Sequence, residues 1–239
     1  MAIFNKLFNL HKEGLSREIE VTEPGTLAQL ISDSELYDIT RLVLHGQVNG
    51  LDLRVLRDMC GYNYRGVETK GRLATLDLSD VRIVTGGRGY IRNQRGYFEV
   101  KCENVLPERL FRKCESLAHV ALPRGTVAIE SHAFERCSHL QYVDIPDSVT
   151  VIGQSAFRLC TDLYSIILPA SVSEIGQDAF ADCHRLRSLI CLATNPPQIV
   201  IDTFFNLDLR KIQVKVPEQA VEVYKKTQFW KRMSKMEAL

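Results

Sequence analysis

The chain has 239 residues, 45% of them hydrophobic and 25% charged, and its 30 Lys+Arg against 29 Asp+Glu leave a net charge of +1. This composition excludes a disordered chain, which would hold fewer apolar residues and lie further from neutrality. It also argues against a general nucleic-acid binder, which carries a basic excess, and no run of about 18 apolar residues is present to cross a membrane. The seven cysteines are an odd number and cannot all pair within the chain, so reduced thiols are the default.

In chain order, residues 1–22 read as an N-terminal extension. Ile3, Phe4, Leu7, Phe8 and Leu10 recur at helical spacing and predict a short amphipathic helix. Asn5, Lys6, Asn9 and His11 interrupt the continuous apolar stretch that a secretory signal needs. Residues 25–31 predict a short helix with Thr26 near its N-cap, and Ile39 to Leu44 a strand. Asp52 is expected to cap a helix whose Leu53, Val55, Leu56 and Met59 share one apolar face. Leu73 to Leu78 is the next strand, and residues 82–104 form the largest insertion, a loop or hairpin. In it, Gly86-Gly87-Arg88-Gly89 resembles a phosphate loop only superficially, since no Lys-Ser/Thr follows. Arg82, Arg88, Arg92, Arg95 and Lys101 interleave there with Tyr90, Tyr97 and Phe98, a mixture suited to an anionic glycan or a nucleic-acid backbone, or simply to a solvated loop.

A repeat follows. Phenylalanine falls at 111, 134, 157 and 180, and cysteine at 114, 137, 160 and 183, a step of 23 each time. Leucine (117, 140, 163, 186) and isoleucine (129, 152, 175) keep the same phase, and prolines at 123, 146 and 169 close three units. Within one unit, Val143 and Ile145 alternate onto one strand face, Pro146 ends the strand, Asp147-Ser148 turns, and Val149 and Ile152 open a second apolar edge, with Gly153 supporting a turn. One such coil cannot bury its own apolar face, but stacked coils can, so the fold class is an α/β solenoid with a parallel sheet on one side. Phe111, Phe134, Phe157, Phe180, Cys114, Cys137, Cys160 and Cys183 are its repeat core, with the cysteines acting as small buried hydrophobes. Structural zinc is disfavoured, because close C-x₂₋₄-C pairs are missing.

The units Ile152 to Leu163 and Ile175 to Leu186 resemble the BspA-type leucine-rich repeat, and the match covers about residues 105–192. Leu42 to Gly46 and Leu76 to Ser79 resemble irregular earlier units. Asn195-Pro196-Pro197, Val214 to Pro217, Tyr224 and Trp230 resemble the closing segment of such proteins in host-associated anaerobic bacteria. The resemblance implies a right-handed leucine-rich repeat and a bacterial surface or secreted protein that binds other macromolecules, often host components.

Residues 23–239 are accordingly expected to be a single domain: irregular coils over 23–104, four regular 23-residue repeats over 105–192, and a cap over 193–239. The cap is read as a last strand, Ile212 to Val216, and a capping helix from Glu218 to Met233 that turns Val221, Tyr224 and Trp230 inward. Eight Lys/Arg against three Glu make residues 210–239 basic, which suits a helix C-terminus.

Outward strand positions fall in two columns: Arg41, Thr75, His119, Tyr142, Ser165, Ser188 and Gln213, then Val43, Asp77, Ala121, Asp144, Ile167, Ile190 and Lys215. His119, Tyr142, Asp144, Ile167 and Ile190 are the candidate partner-binding residues, an apolar spot with a polar rim on the concave face. Catalytic, cofactor and metal sites are not predicted. Of the remaining motifs, only Cys183-His184 offers a nucleophile beside a base, and it would need a partly exposed thiol. The leading expectation is a non-enzymatic module for a protein or glycan partner, with no nucleic acid. An intracellular scaffold protein and a cysteine-dependent enzyme are the other classes.

Overall fold

The computed structural model describes residues 14–94 and 96–239. The amphipathic helix expected within residues 1–13, and Arg95, lie outside the described residues. Parallel strands dominate. One sheet runs in the order β1 (Leu15–Val21), β2 (Ile39–Val48), β3 (Thr75–Ile83), β7 (His119–Ala121) and β9 (Tyr142–Asp144). Another runs β11 (Ser165–Leu168), β13 (Ser188–Cys191), β15 (Gln213–Val216) and β16 (Lys235–Ala238). A third holds the two-residue strands β6 (Val105–Leu106), β8 (Ala128–Ile129), β10 (Val151–Ile152), β12 (Glu174–Ile175) and β14 (Gln198–Ile199) in sequential order. Among the described residues the pairing is antiparallel in the hairpin of β4 (Ile91–Asn93) and β5 (Gly96–Phe98) within the insertion and in an isolated bridge between Tyr62 and Glu68.

The 23-residue period is the register of these ladders: Val120 pairs with Val143, and Val151 with both Ala128 and Glu174. Phe111, Phe134, Phe157 and Phe180 are fully buried and stack ring on ring, with centroids 5.4, 5.3 and 5.4 Å apart, and Phe204 adds a fifth ring at 5.4 Å. Burying each ring contributes about 1.5–3 kcal/mol, and each stacked contact about 0.5–1.5 kcal/mol more. The cysteines form a second row. The thiols of Cys137, Cys160 and Cys183 donate to the carbonyls of Phe111, Phe134 and Phe157 at 2.9, 3.2 and 3.1 Å. One continuous apolar core takes in these columns and extends from Ile19 to Met233.

The turns between the strands form a further ladder. Arg109, His132, Ser155 and Asp178, and again Lys113, Arg136, Leu159 and Asp182, adopt left-handed backbone with φ between 54° and 66°. Their N–H groups, Asp178 excepted, donate to carbonyls one coil further on, as Leu159 does to Ala181 at 2.9 Å. Gly153 has another role than the turn expected of it. A Cβ there would lie 2.7 Å from Ser131 N and 2.8 Å from Glu130 C, so glycine is needed for close approach of the preceding coil.

Several local expectations need correction. Residues 15–21, read as part of an extension, are β1, and β2 and β3 run on to Val48 and Ile83. The helix α1 (Leu27–Leu30) has Thr26 at its N-cap position, but the Thr26 hydroxyl donates back to Glu23 O rather than capping. Asn49, not Asp52, caps the helix α2 (Gly50–Met59). Asp52 closes the capping box by accepting from Asn49 N at 2.8 Å, and it also takes Gly25 N and Leu27 N at 2.6 and 2.9 Å. This fully buried carboxylate thereby joins two helix starts. At the C-terminal end, the helix expected over 218–233 is shorter: a 3₁₀ turn (Glu218–Ala220), α3 (Val221–Lys226) and a second 3₁₀ turn (Trp230–Arg232). Extended backbone at Thr227 ends α3, Phe229 follows with φ 69°, and β16 comes after the second 3₁₀ turn, so Ile212 to Val216 does not hold the last strand. Tyr224 and Trp230 are fully buried, whereas Val221 packs at the core edge.

Candidate functional site

The two outward columns are in register. Arg41, Thr75, His119 and Tyr142 are successive partners, as are Val43, Asp77, Ala121 and Asp144. In the next sheet Ser165, Ser188 and Gln213 pair in turn beside Ile167, Ile190 and Lys215. The columns extend beyond the residues read from sequence, to Ser16 and Glu18 on β1 and to Lys235 and Glu237 on β16.

His119 and Tyr142 sit side by side on this face, but both are buried, at 2% and 9% exposure. His119 keeps the outward strand position expected of it, but the face there is not exposed. Strand neighbours stand about 4.8 Å away on either side, and its partners in register, Thr75 and Tyr142, are buried with it. Tyr142 and Ala121 form a small apolar cluster with Val43, separate from the main core. Burial, with Asp144 nearby as a second cause, pushes the Tyr142 phenol up to about 12. Asp144, Ile167 and Ile190 are half-buried. Ile167 and Ile190 are neighbours on β11 and β13, in a different sheet from the other three candidates.

A groove of about 850 Å³ opens between the middle of β2 and β3 and the C-terminal ends of β7 and β9. Val43, Ala121 and Ile145 give it apolar wall, and Asp77, Asp80, Asp144 and Asp147 give it carboxylates. His45 lies 3.0 Å from Glu18 and 3.5 Å from Asp80, and Arg124 pairs with Asp80. Sequence reading passed over His45, Asp80, Arg124 and Asp147. Continuing the period of two past Val43 would have reached His45, but the register shift between Val43 and His45 hides the partnership with Asp80.

The Cys183-His184 pair is not a catalytic arrangement. Cys183 is fully buried, its thiol is spent on Phe157 O, and burial pushes its pKa up to about 12, while His184 is exposed. Cys60 joins the cysteine row as a buried neighbour of Cys114, a member that its sequence spacing conceals. The Gly86–Gly89 loop packs on the start of α2, where Gly50 N donates to Gly86 O at 3.2 Å. Among the described residues, no cluster of His, Cys, Asp or Glu is placed to hold a metal, and no helix is long and apolar enough to cross a membrane.

Residues 104–231 match the family model of the BspA type leucine rich repeat region, in six copies. The chain belongs to the BspA-type leucine-rich repeat family. The six copies reach past the four repeats read from sequence, into the segment that holds β15 and Trp230. Among solved structures, the chain is similar to a leucine-rich repeat protein of T. pallidum, at 32% identity over 45% of this chain and 50% of that one, TM-score 0.42. It is also similar to a leucine rich cell surface protein of Faecalibacterium prausnitzii (18% identity, 77% and 56% covered, TM-score 0.40). A third is the pneumococcal vaccine antigen PcpA (16% identity, 94% and 55% covered, TM-score 0.44). The chain thus spans about half the length of these structures, 50%, 56% and 55%. Among curated proteins no match was found.

Proposed function

We propose that this BspA-type repeat chain is a non-enzymatic binding module that holds a macromolecular partner against its outward strand columns. In this reading residues 23–239 are one domain, wound as a right-handed solenoid and closed by the C-terminal segment, and the strand columns line its concave face. The carrying observation is the groove along β2, β3, β7 and β9, where Val43 and Ala121, packed on the buried Tyr142 behind them, meet Asp77 and Asp144 on a hydrogen-bonded sheet. Such a mixture of apolar centre and polar rim, on a backbone that need not reorganise, is what a protein-binding surface requires. The bacterial cell surface, or the medium outside it, is the place of action that this reading assigns.

The test is a phage-displayed peptide library selected on the immobilised protein. Selected peptides should lose at least tenfold in affinity on the Tyr142→Ala/Asp144→Ala double variant, while its unfolding midpoint shows that it remains folded. Unchanged affinity would remove the groove from the proposal. A second reading, an intracellular scaffold, draws on the seven free cysteines, which suit a reducing compartment. Protease added to intact cells separates the two readings: digestion supports the surface, and protection supports the scaffold.

A further inference from the structure

Over most of the described surface, arginines are matched with carboxylates: Arg17 with Glu35, Arg72 with Asp38, Arg82 with Glu103, Arg112 with Glu135 and Arg185 with Asp162. Around the inserted hairpin cations lie on aromatic rings, Arg109 over Phe98 at 5.0 Å while also pairing with Glu108, and others without a carboxylate partner. The Arg54 guanidinium sits 4.3 Å from the centroid of Tyr64 and 5.6 Å from that of Tyr97. Arg65 lies 5.3 Å from the Tyr64 centroid, and Lys113 5.5 Å from that of Tyr62. Arg92 stands opposite Tyr97 in the hairpin, and its N–H donates to Tyr64 O at 2.6 Å, which ties the hairpin to the loop after α2. None of Arg54, Arg65, Arg92 and Lys113 has an ion-pair partner within 4.0 Å among the described residues. Of the carboxylates here, Glu68 is taken up by the Tyr62 hydroxyl at 2.9 Å, Asp58 is half-buried and acts electrostatically on Arg57 and Arg54 without pairing to Arg54 within 4.0 Å, and Glu99 is exposed. None of these side chains lines the strand-face groove.

We propose that this patch is a second binding surface, for a glycan that carries sulfate or carboxylate groups. A guanidinium laid on a ring is held in place while its outer N–H edges stay free, which is the arrangement that recognises a planar or tetrahedral oxyanion. Arg54 spends its Nε on Gly89 O at 2.7 Å, and among the described residues its two terminal amino groups make no hydrogen bond. The choice of glycan over single-stranded nucleic acid follows from the ring faces. Bases bind such proteins by stacking on open aromatic faces, whereas both cations of the Arg54–Arg65 pair lie over the Tyr64 ring. What remains outward is a set of hydrogen-bond donors spaced along the hairpin and loop.

The probe is a size-defined heparin octasaccharide, with a twelve-residue oligothymidylate beside it, titrated calorimetrically into the full chain. The octasaccharide should bind, weaken as salt rises, and lose at least tenfold in affinity on the Arg65→Gln/Arg92→Gln/Lys113→Gln variant with an unchanged melting temperature. A Lys225→Gln/Lys226→Gln/Lys231→Gln variant, which removes the same charge from the C-terminal segment, should bind as the parent does. The proposal is overturned if the octasaccharide fails to bind, if the C-terminal variant loses as much affinity as the hairpin variant, or if the oligothymidylate binds as tightly. Should the hairpin triple variant unfold, Arg65→Gln alone carries the test and should lose about threefold.

Discussion

The thiol of Cys137 donates a 2.9 Å hydrogen bond to the carbonyl of Phe111, across a sequence separation of 26 residues. The same bond recurs from Cys160 to Phe134 and from Cys183 to Phe157, so the cysteine row pairs carbonyls that no strand ladder reaches. Cys160→Ala should therefore cost about 0.5–1.5 kcal/mol for the lost hydrogen bond, and no more on that account, because Phe134 O keeps the N–H of Cys137 at 3.0 Å. Cys160→Ser, which keeps a donor, should cost less. Urea unfolding of the two variants checks the order; equal losses would assign the cost to lost volume alone.

Gly153→Ala should destabilise by about 1–3 kcal/mol, the usual range for overpacking, towards the upper end because the obstacle is backbone of the preceding coil. Gly125→Ala is the control. Its nearest neighbour would be 3.5 Å away, and its change should stay within about 0.5 kcal/mol. Thermal melts of both variants would show whether the coil spacing or the residue type decides.

Leu159 holds φ at 61° and uses its N–H between coils. Leu159→Gly should be neutral or gain up to about 1 kcal/mol, because left-handed backbone costs glycine nothing in sterics. Leu159→Val should lose about 1–2 kcal/mol, since a β-branched residue resists that conformation. A Val variant as stable as the parent would show that this turn can relax.

Asp58 has its Oδ1 buried without a hydrogen-bond partner among the described residues, and burial raises its pKa to about 6 against the opposing pull of Arg57 and Arg54. A raised carboxyl pKa means that the folded state prefers the protonated form. Its contribution is complete below about pH 4 and is lost as pH rises through 6. Asp58→Asn should remove that decline and be more stable than the parent at pH 7.5, by about 1 kcal/mol once solvent screening of this half-buried group is discounted. Denaturant midpoints from pH 4 to 8 give the comparison.

The period itself was legible because Phe, Cys, Leu and Ile recur at one step, and the ladders keep that step as their register. The outward columns could be written out for the same reason. The left-handed turns left no trace, since Arg, His, Ser, Asp, Lys and Leu occupy them in place of glycine. β16 was missed because Lys235-Met236-Glu237-Ala238 carries helix-favouring residues, and pairing with β15 overrides that preference. β1 did carry a signal, with Ile19 and Val21 alternating inward between Glu18 and Glu20. The burial of His119 and Tyr142 was beyond alternation, which says which face a side chain takes but not how much solvent reaches it.

The step from Phe180 to Phe204 is 24 residues rather than 23, yet their rings are 5.4 Å apart like the rest. The additional residue falls in the connector between β13 and β14, where Ala193 O and Pro197 O receive Tyr224 and Trp230. Connectors of this kind act as expansion joints: they take up length while the ring column keeps its pitch. The equivalent connector one coil pair earlier, Pro146-Asp147-Ser148, lies on the rim of the groove. A repeat built this way can vary its rim in both length and chemistry while its interior stays in phase, so divergence in what is bound need not disturb the fold that presents it.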